Sequence, residues 1–159
     1  MCGTPSDRRP RFACDRNLGK LARWLRMMGF DAVYIRHDTP ESLLDEALSG
    51  RIVLTRRSRL RDRMNVHVVV HDRVVDQIRA LAAVVDLAPW VEPFTRCSLC
   101  NTVLTTCEPA EAQGLVPEYV FLTHDTFARC AECGRVYWKG THHGRIRDTI
   151  DRVIGERGS

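Results

Sequence analysis

Phe12–Arg36, FACDRNLGKLARWLRMMGFDAVYIR, alternates strand, helix and strand. Residues 11–15 (RFACD) read as a short strand ending in Asp15. Asn17 is placed to cap a helix, and Leu18, Leu21, Ala22, Leu25 and Met28 follow at helical spacing. Gly29 stands where a helix ends in left-handed backbone, and Ala32–Ile35 resumes as a strand. A helix between two strands carries the chain back along the sheet face, so the strands run parallel.

The pattern continues outward. Pro40 opens a second helix through Leu43, Leu44, Ala47 and Leu48, which stops at Gly50. Ile52–Thr55 is a third strand and Val66–Val70 a fourth. Asp72 is positioned to cap a helix carrying Val75, Ile78, Leu81 and Ala82. This alternation predicts an α/β fold, a parallel sheet with flanking helices and right-handed crossovers. Pro89 and Pro93 mark a boundary. Residues 11–88 then form the α/β domain, residues 96–144 a region of short strands and cysteine knuckles, and residues 145–159 a short helix and tail. Ile146, Ile150, Val153 and Ile154 share one side of that helix.

The chain has 159 residues, 44% hydrophobic and 28% charged, which fits a soluble globular protein and excludes a disordered one. No apolar run approaches the ~18 residues of a membrane span. The basic opening MCGTPSDRRPR lacks the apolar segment of a secretory leader, so a cytoplasmic protein is expected. The net charge of +4 is uneven: residues 1–63 hold 14 Lys/Arg against 8 Asp/Glu, and residues 64–159 hold 10 against 12. A polyanion partner is therefore expected at the N-terminal part. Only Lys20 and Lys139 are lysines. Arginine suits bidentate phosphate contacts, but a G- and C-rich genome raises it everywhere, so the asymmetry weighs more than the residue type.

Seven cysteines are present, four of them in two CxxC pairs, RCSLCN and RCAECG. Cys97, Cys100, Cys130 and Cys133 can fill the tetrahedral shell of one Zn²⁺. Asn101 and Gly134, just after each pair, tolerate the left-handed backbone that a metal knuckle needs. The 29 residues between Cys100 and Cys130 suit a ribbon with an inserted loop at Pro109–Pro117, with Tyr119–Leu122 and Val136–Trp138 as ribbon strands. Four cysteines close the site, so the zinc is read as structural. Cys107 is a spare.

In an open α/β sheet, ligands bind beyond the carboxyl ends of the strands. Asp15 stands at one such end, with Asp38, Glu41 and Asp45 after the next strand. Two or three carboxylates converging there would hold Mg²⁺ or Mn²⁺ for phosphodiester cleavage. The third strand is followed instead by Arg56, Arg57, Arg59, Arg61 and Arg63. Each feature also has a plainer reading: Asp15 as a helix cap, Glu41 as a complement to the helix dipole, the arginines as a solvated face.

FACDRNLGKLARWLRMMGFDAVYIR, GRIVLTRRSRL, FTRCSLCN and FARCAECGRVYWKGTHHGRI together resemble the PIN-like ribonuclease domain with a zinc ribbon. That domain occurs at the C-terminus of the Mut-seven exonuclease and as a free-standing prokaryotic protein. The resemblance runs from about Phe12 to Ile146. It implies a PIN-type α/β fold, magnesium-dependent RNA cleavage, a zinc module, and RNA as partner, free or in a ribonucleoprotein such as the ribosome. Asp15 matches the family's leading aspartate, and Glu41 is the preferred second acid in the Asp38–Glu41 region. The family's third strand normally ends T-R-D, whereas this chain reads Thr55, Arg56, Arg57. The aspartate position is Arg57, a cation that repels Mg²⁺ and suits a phosphate. With Lys20, Arg23, Arg56, Arg59 and Arg61 it would form an RNA-binding surface. The rival class is a non-catalytic RNA- or ribosome-binding module.

Overall fold

A computed structural model describes residues 8–36 and 39–155. Strands β1 (Phe12–Cys14), β2 (Ala32–Tyr34), β3 (Ile52–Thr55) and β4 (Val66–Val68) form one parallel sheet in the order β2-β1-β3-β4. Helices α1 (Gly19–Met27), α2 (Pro40–Leu48) and α3 (Val74–Val84) pack around it.

The helix ends follow local chemistry. α1 closes in a Schellman motif: the Phe30 amide donates to the Leu25 carbonyl and the Gly29 amide to Arg26, each at 2.9 Å. Gly29 has φ +95°, and a Cβ there would lie 2.3 Å from the Glu92 carbonyl oxygen, so the position excludes every side chain. α2 starts in a capping box between Thr39 and Ser42, with Pro40 in its first turn.

Two caps differ from the sequence expectation. Asp15, not Asn17, caps the 3-10 turn Arg16–Leu18 that leads into α1, because its carboxylate accepts from the Asn17 amide at 2.9 Å. Arg73, not Asp72, precedes α3, and Asp72 turns outward to pair with Arg56 at 3.3 Å.

The second module is a three-stranded antiparallel sheet of β5 (Thr105–Cys107), β6 (Phe127–Arg129) and β7 (Val136–Trp138). Val136–Trp138 is the strand expected there. Tyr119–Leu122 is not: it lies in helix α5 (Glu118–Thr123), which buries Val120 and exposes Tyr119 and Leu122. The expected loop at residues 109–117 also begins as a helical turn, α4 (Pro109–Ala112).

The C-terminal helix α6 spans Thr141–Gly155, so it begins before the boundary expected at residue 144. Ile146, Ile150 and Val153 join Leu21, Leu25, Phe30, Ile78 and Leu81 in one buried cluster. The chain thus returns from the ribbon to seal the helical face of the first sheet. No helix among the described residues is long and apolar enough to cross a membrane.

Candidate functional site

Asp15 ends β1 at the carboxyl edge of the sheet and is 1% exposed. Its amide donates to the Leu54 carbonyl of β3 at 3.0 Å. Its Oδ1 accepts from the Asn17 amide, and its Oδ2 accepts from Thr55 Oγ1 at 2.6 Å. Thr55 Oγ1 in turn accepts from the Arg57 amide at 3.1 Å. Asp15, Thr55 and Arg57 therefore form one hydrogen-bonded chain across the ends of β1 and β3.

The other predicted residues are distributed around this edge. Glu41 is exposed in the first turn of α2. Asp38 lies outside the described residues. Lys20 and Arg23 are exposed on α1, and Arg59 and Arg61 are exposed beyond β3. Arg56 bends back to the β4–α3 loop, donating to the His71 carbonyl at 2.9 Å. Arg57 is half-buried. At the same edge, Tyr34 OH donates to the Arg16 carbonyl at 2.7 Å and the Arg36 guanidinium lies 6.0 Å from the Tyr34 ring centroid.

Cys14, the residue before Asp15, is fully buried, and burial pushes its thiol up to about 12 against the opposing pull of Arg26. It is a core side chain, not a nucleophile.

The four predicted metal ligands meet. The Sγ atoms of Cys97, Cys100, Cys130 and Cys133 all lie within 4.8 Å of one another, and none is in a disulfide. A tetrahedral zinc with Zn–S of about 2.3 Å needs sulfurs about 3.8 Å apart, and Cys97 and Cys133 are 3.8 Å apart. Asn101 (φ 68°) and Gly134 (φ 75°) supply the left-handed turns. The Asn101 amide donates to the Cys97 carbonyl and the Gly134 amide to Cys130, each at 2.9 Å. Cys107 lies on β5, outside the cluster.

Tyr137 OH sits 3.2 Å from Cys97 Sγ and accepts from the Ser98 amide at 3.2 Å. Burial raises the Cys97 thiol, but the Tyr137 hydroxyl and the Cys100 and Leu99 amides outweigh it and bring it down to about 7. Cys100 beside it is pushed up to about 12 by burial and by the neighbouring thiols. Crowded thiols resist losing their protons together, and a divalent cation removes that resistance. The donor set, spacing and outer-shell hydroxyl fit Zn²⁺.

Sequence reasoning missed the residues that tie this cluster to the α/β domain. Arg26, on the buried side of α1, donates from Nε to the Ala32 carbonyl at 2.8 Å. Its Nη1 donates to the Ser98 and Leu99 carbonyls of the first knuckle at 3.2 and 2.9 Å. Asn101 returns the contact: its Oδ1 accepts from the Ala32 amide at 3.0 Å and its Nδ2 donates to Asp31 at 2.7 Å. Arg51 grips the same Asp31 carboxylate at 2.9 and 3.1 Å. The available signal was a cation on the apolar stripe of α1, four residues after Ala22.

A family model of the Mut7-C RNAse domain matches residues 10–150. No curated protein and no solved structure matches the chain.

Proposed function

Because the chain belongs to the Mut7-C RNAse domain family, we propose that it binds RNA through phosphate contacts at the carboxyl edge of its parallel sheet, and that its metal-dependent cleavage is weak. The observation that carries this reading is the Asp15–Thr55–Arg57 chain. It ties the backbone of residue 57 to the leading aspartate, and residue 57 is an arginine where the family resemblance calls for a third acid. A guanidinium there repels a hard divalent cation and attracts a phosphate.

The donor set for Mg²⁺ or Mn²⁺ fits poorly. Both Asp15 oxygens already accept hydrogen bonds, the residue is 1% exposed, and the other candidate acids among the described residues, Glu41 and Asp45, are exposed on α2. The same burial favours the second reading, a non-catalytic module that binds RNA or a ribonucleoprotein such as the ribosome. Zinc holds the knuckles and supplies no open position for chemistry.

Arg56 is engaged with the His71 carbonyl and Asp72, so its part is to fix the loop from which Arg57, Arg59 and Arg61 reach RNA. The test is RNA affinity over a salt series for the wild type and for Arg57→Ala combined with Arg59→Ala. The double variant should bind every RNA more weakly, with a shallower salt slope. Unchanged affinity and slope would reject this surface.

A further inference from the structure

Two hollows meet on the face of α1 that looks towards the ribbon. One, of about 510 Å³, lies at the carboxyl edge of the sheet and is lined by Lys20, Arg23, Arg26, Tyr34 and Arg36. The other, of about 880 Å³, lies between the α/β domain and the ribbon and is lined by Arg23, Arg96, Arg135 and Lys139. Arg23 and Ser98 border both, so the two lie side by side. Among the described residues, no Asp or Glu lines either one. This is notable because residues 64–159 carry more acids than bases. The ribbon half is acidic in sum, yet it turns its cations towards this groove.

The groove also carries aromatic surface. Half-buried Trp138 lines its wall, and the Phe94 ring stacks on His143 at 3.6 Å between centroids. A basic groove that follows a backbone, with π-faces along it, is the arrangement that holds a single nucleic-acid strand without reading its sequence. A double helix presents its phosphates outward and keeps its bases stacked away from such faces.

Resting on the reading above, we infer that one single-stranded RNA segment runs from the strand-end edge along Lys20 and Arg23 of α1 into the groove of Arg96, Arg135 and Lys139, where Trp138 stacks against a base. The zinc ribbon is then one wall of the RNA site as well as a folding element. Arg26 ties that wall to α1 and Asn101 ties it to β2. The strand bridges the two modules, so it should bind more tightly as it lengthens until it reaches the ribbon.

The experiment uses the zinc-loaded full chain and fluorescence anisotropy of labelled oligouridylates, short and long, with a duplex of matching length as competitor. Arg135→Ala combined with Lys139→Ala should lower affinity for the long strand on the order of ten-fold. It should also reduce the salt slope by about 1.4, from two phosphate contacts at ~0.7 each. Affinity for the short strand, zinc content and melting temperature should be unchanged. With a 4-thiouridine strand, crosslinks should map to both Lys20–Arg23 and Arg135–His143. If that variant binds the long strand like the wild type, or crosslinks stay confined to the segment after β3, the groove is rejected even where Arg57→Ala with Arg59→Ala weakens binding. Equal competition by duplex rejects the single-strand assignment. If neither pair of substitutions weakens binding, the parent reading falls as well.

Discussion

Thr55 Oγ1 donates to Asp15 Oδ2 at 2.6 Å and accepts from the Arg57 amide at 3.1 Å. One hydroxyl thus holds the buried carboxylate at the end of β1 and the turn that follows β3. Replacing it by a group of the same shape without the oxygen leaves a buried acceptor and a backbone donor short of a partner. Thr55→Val should cost about 1–3 kcal/mol in urea denaturation, and Thr55→Ser should recover most of it. A Thr55→Val protein as stable as the wild type would show that water satisfies Asp15.

Cleavage should follow the charge at residue 57. The wild type should degrade single-stranded RNA slowly or not at all with Mg²⁺ or Mn²⁺. Arg57→Asp should gain metal-dependent cleavage, and adding Asp15→Asn should abolish that gain. A metal titration of the three proteins against one labelled RNA decides it. Robust wild-type cleavage that depends on Asp15 would mean that another carboxylate completes the site, with Asp62 and Asp38 the first to substitute.

Zinc removal should be felt beyond the ribbon. Purified protein should contain about one equivalent of zinc, and Cys130→Ser should lose it. The first knuckle receives Arg26 and returns Asn101. A strong chelator should therefore lower the unfolding temperature of the whole chain in one transition, while the cluster thiols become reactive and Cys14 stays protected. An unchanged main transition after zinc loss would show that the modules are uncoupled.

Asn101 combines a left-handed backbone with two side-chain hydrogen bonds to Asp31 and Ala32. Asn101→Gly keeps the backbone and loses the bonds, whereas Asn101→Ala loses both. The alanine variant should be less stable than the glycine variant by about 1 kcal/mol, with both below the wild type. Equal stability of the two would remove the backbone argument.

Acid should weaken the fold through His67. Burial on β4 lowers its imidazole from the usual 6.5, so the unfolded chain takes up that proton before the folded chain does. Stability is fully present above pH 6.5 and falls as pH drops below it, until the folded imidazole protonates as well. His67→Gln should flatten that part of the stability–pH curve. Parallel curves for the two proteins, measured above the pH at which zinc is released, would assign the slope to other groups.

Features that depend on neighbours along the chain are legible before folding. The helical period of Leu18–Met28, the left-handed ends at Gly29 and Gly50, and the knuckle turns at Asn101 and Gly134 are local conformational choices. They fixed the parallel sheet and the metal cluster in advance. Short segments were less decisive. Tyr119–Leu122 carries strand-forming residues but buries only Val120, a pattern too brief to separate a period of 2 from one of 3.6.

Which residues lie side by side emerges from packing. Asp15 reads alike as a cap or as a metal ligand until Thr55, 40 residues on, is seen to close over it. Arg26 reads as one more surface cation until it meets carbonyls 72 and 73 residues away. That anchorage turns Arg135 and Lys139, which belong to an acidic half of the chain, towards Arg23 across one groove. Charge counted along a sequence is a sum, whereas the field that a ligand meets depends on which side chains the packing turns to the same side.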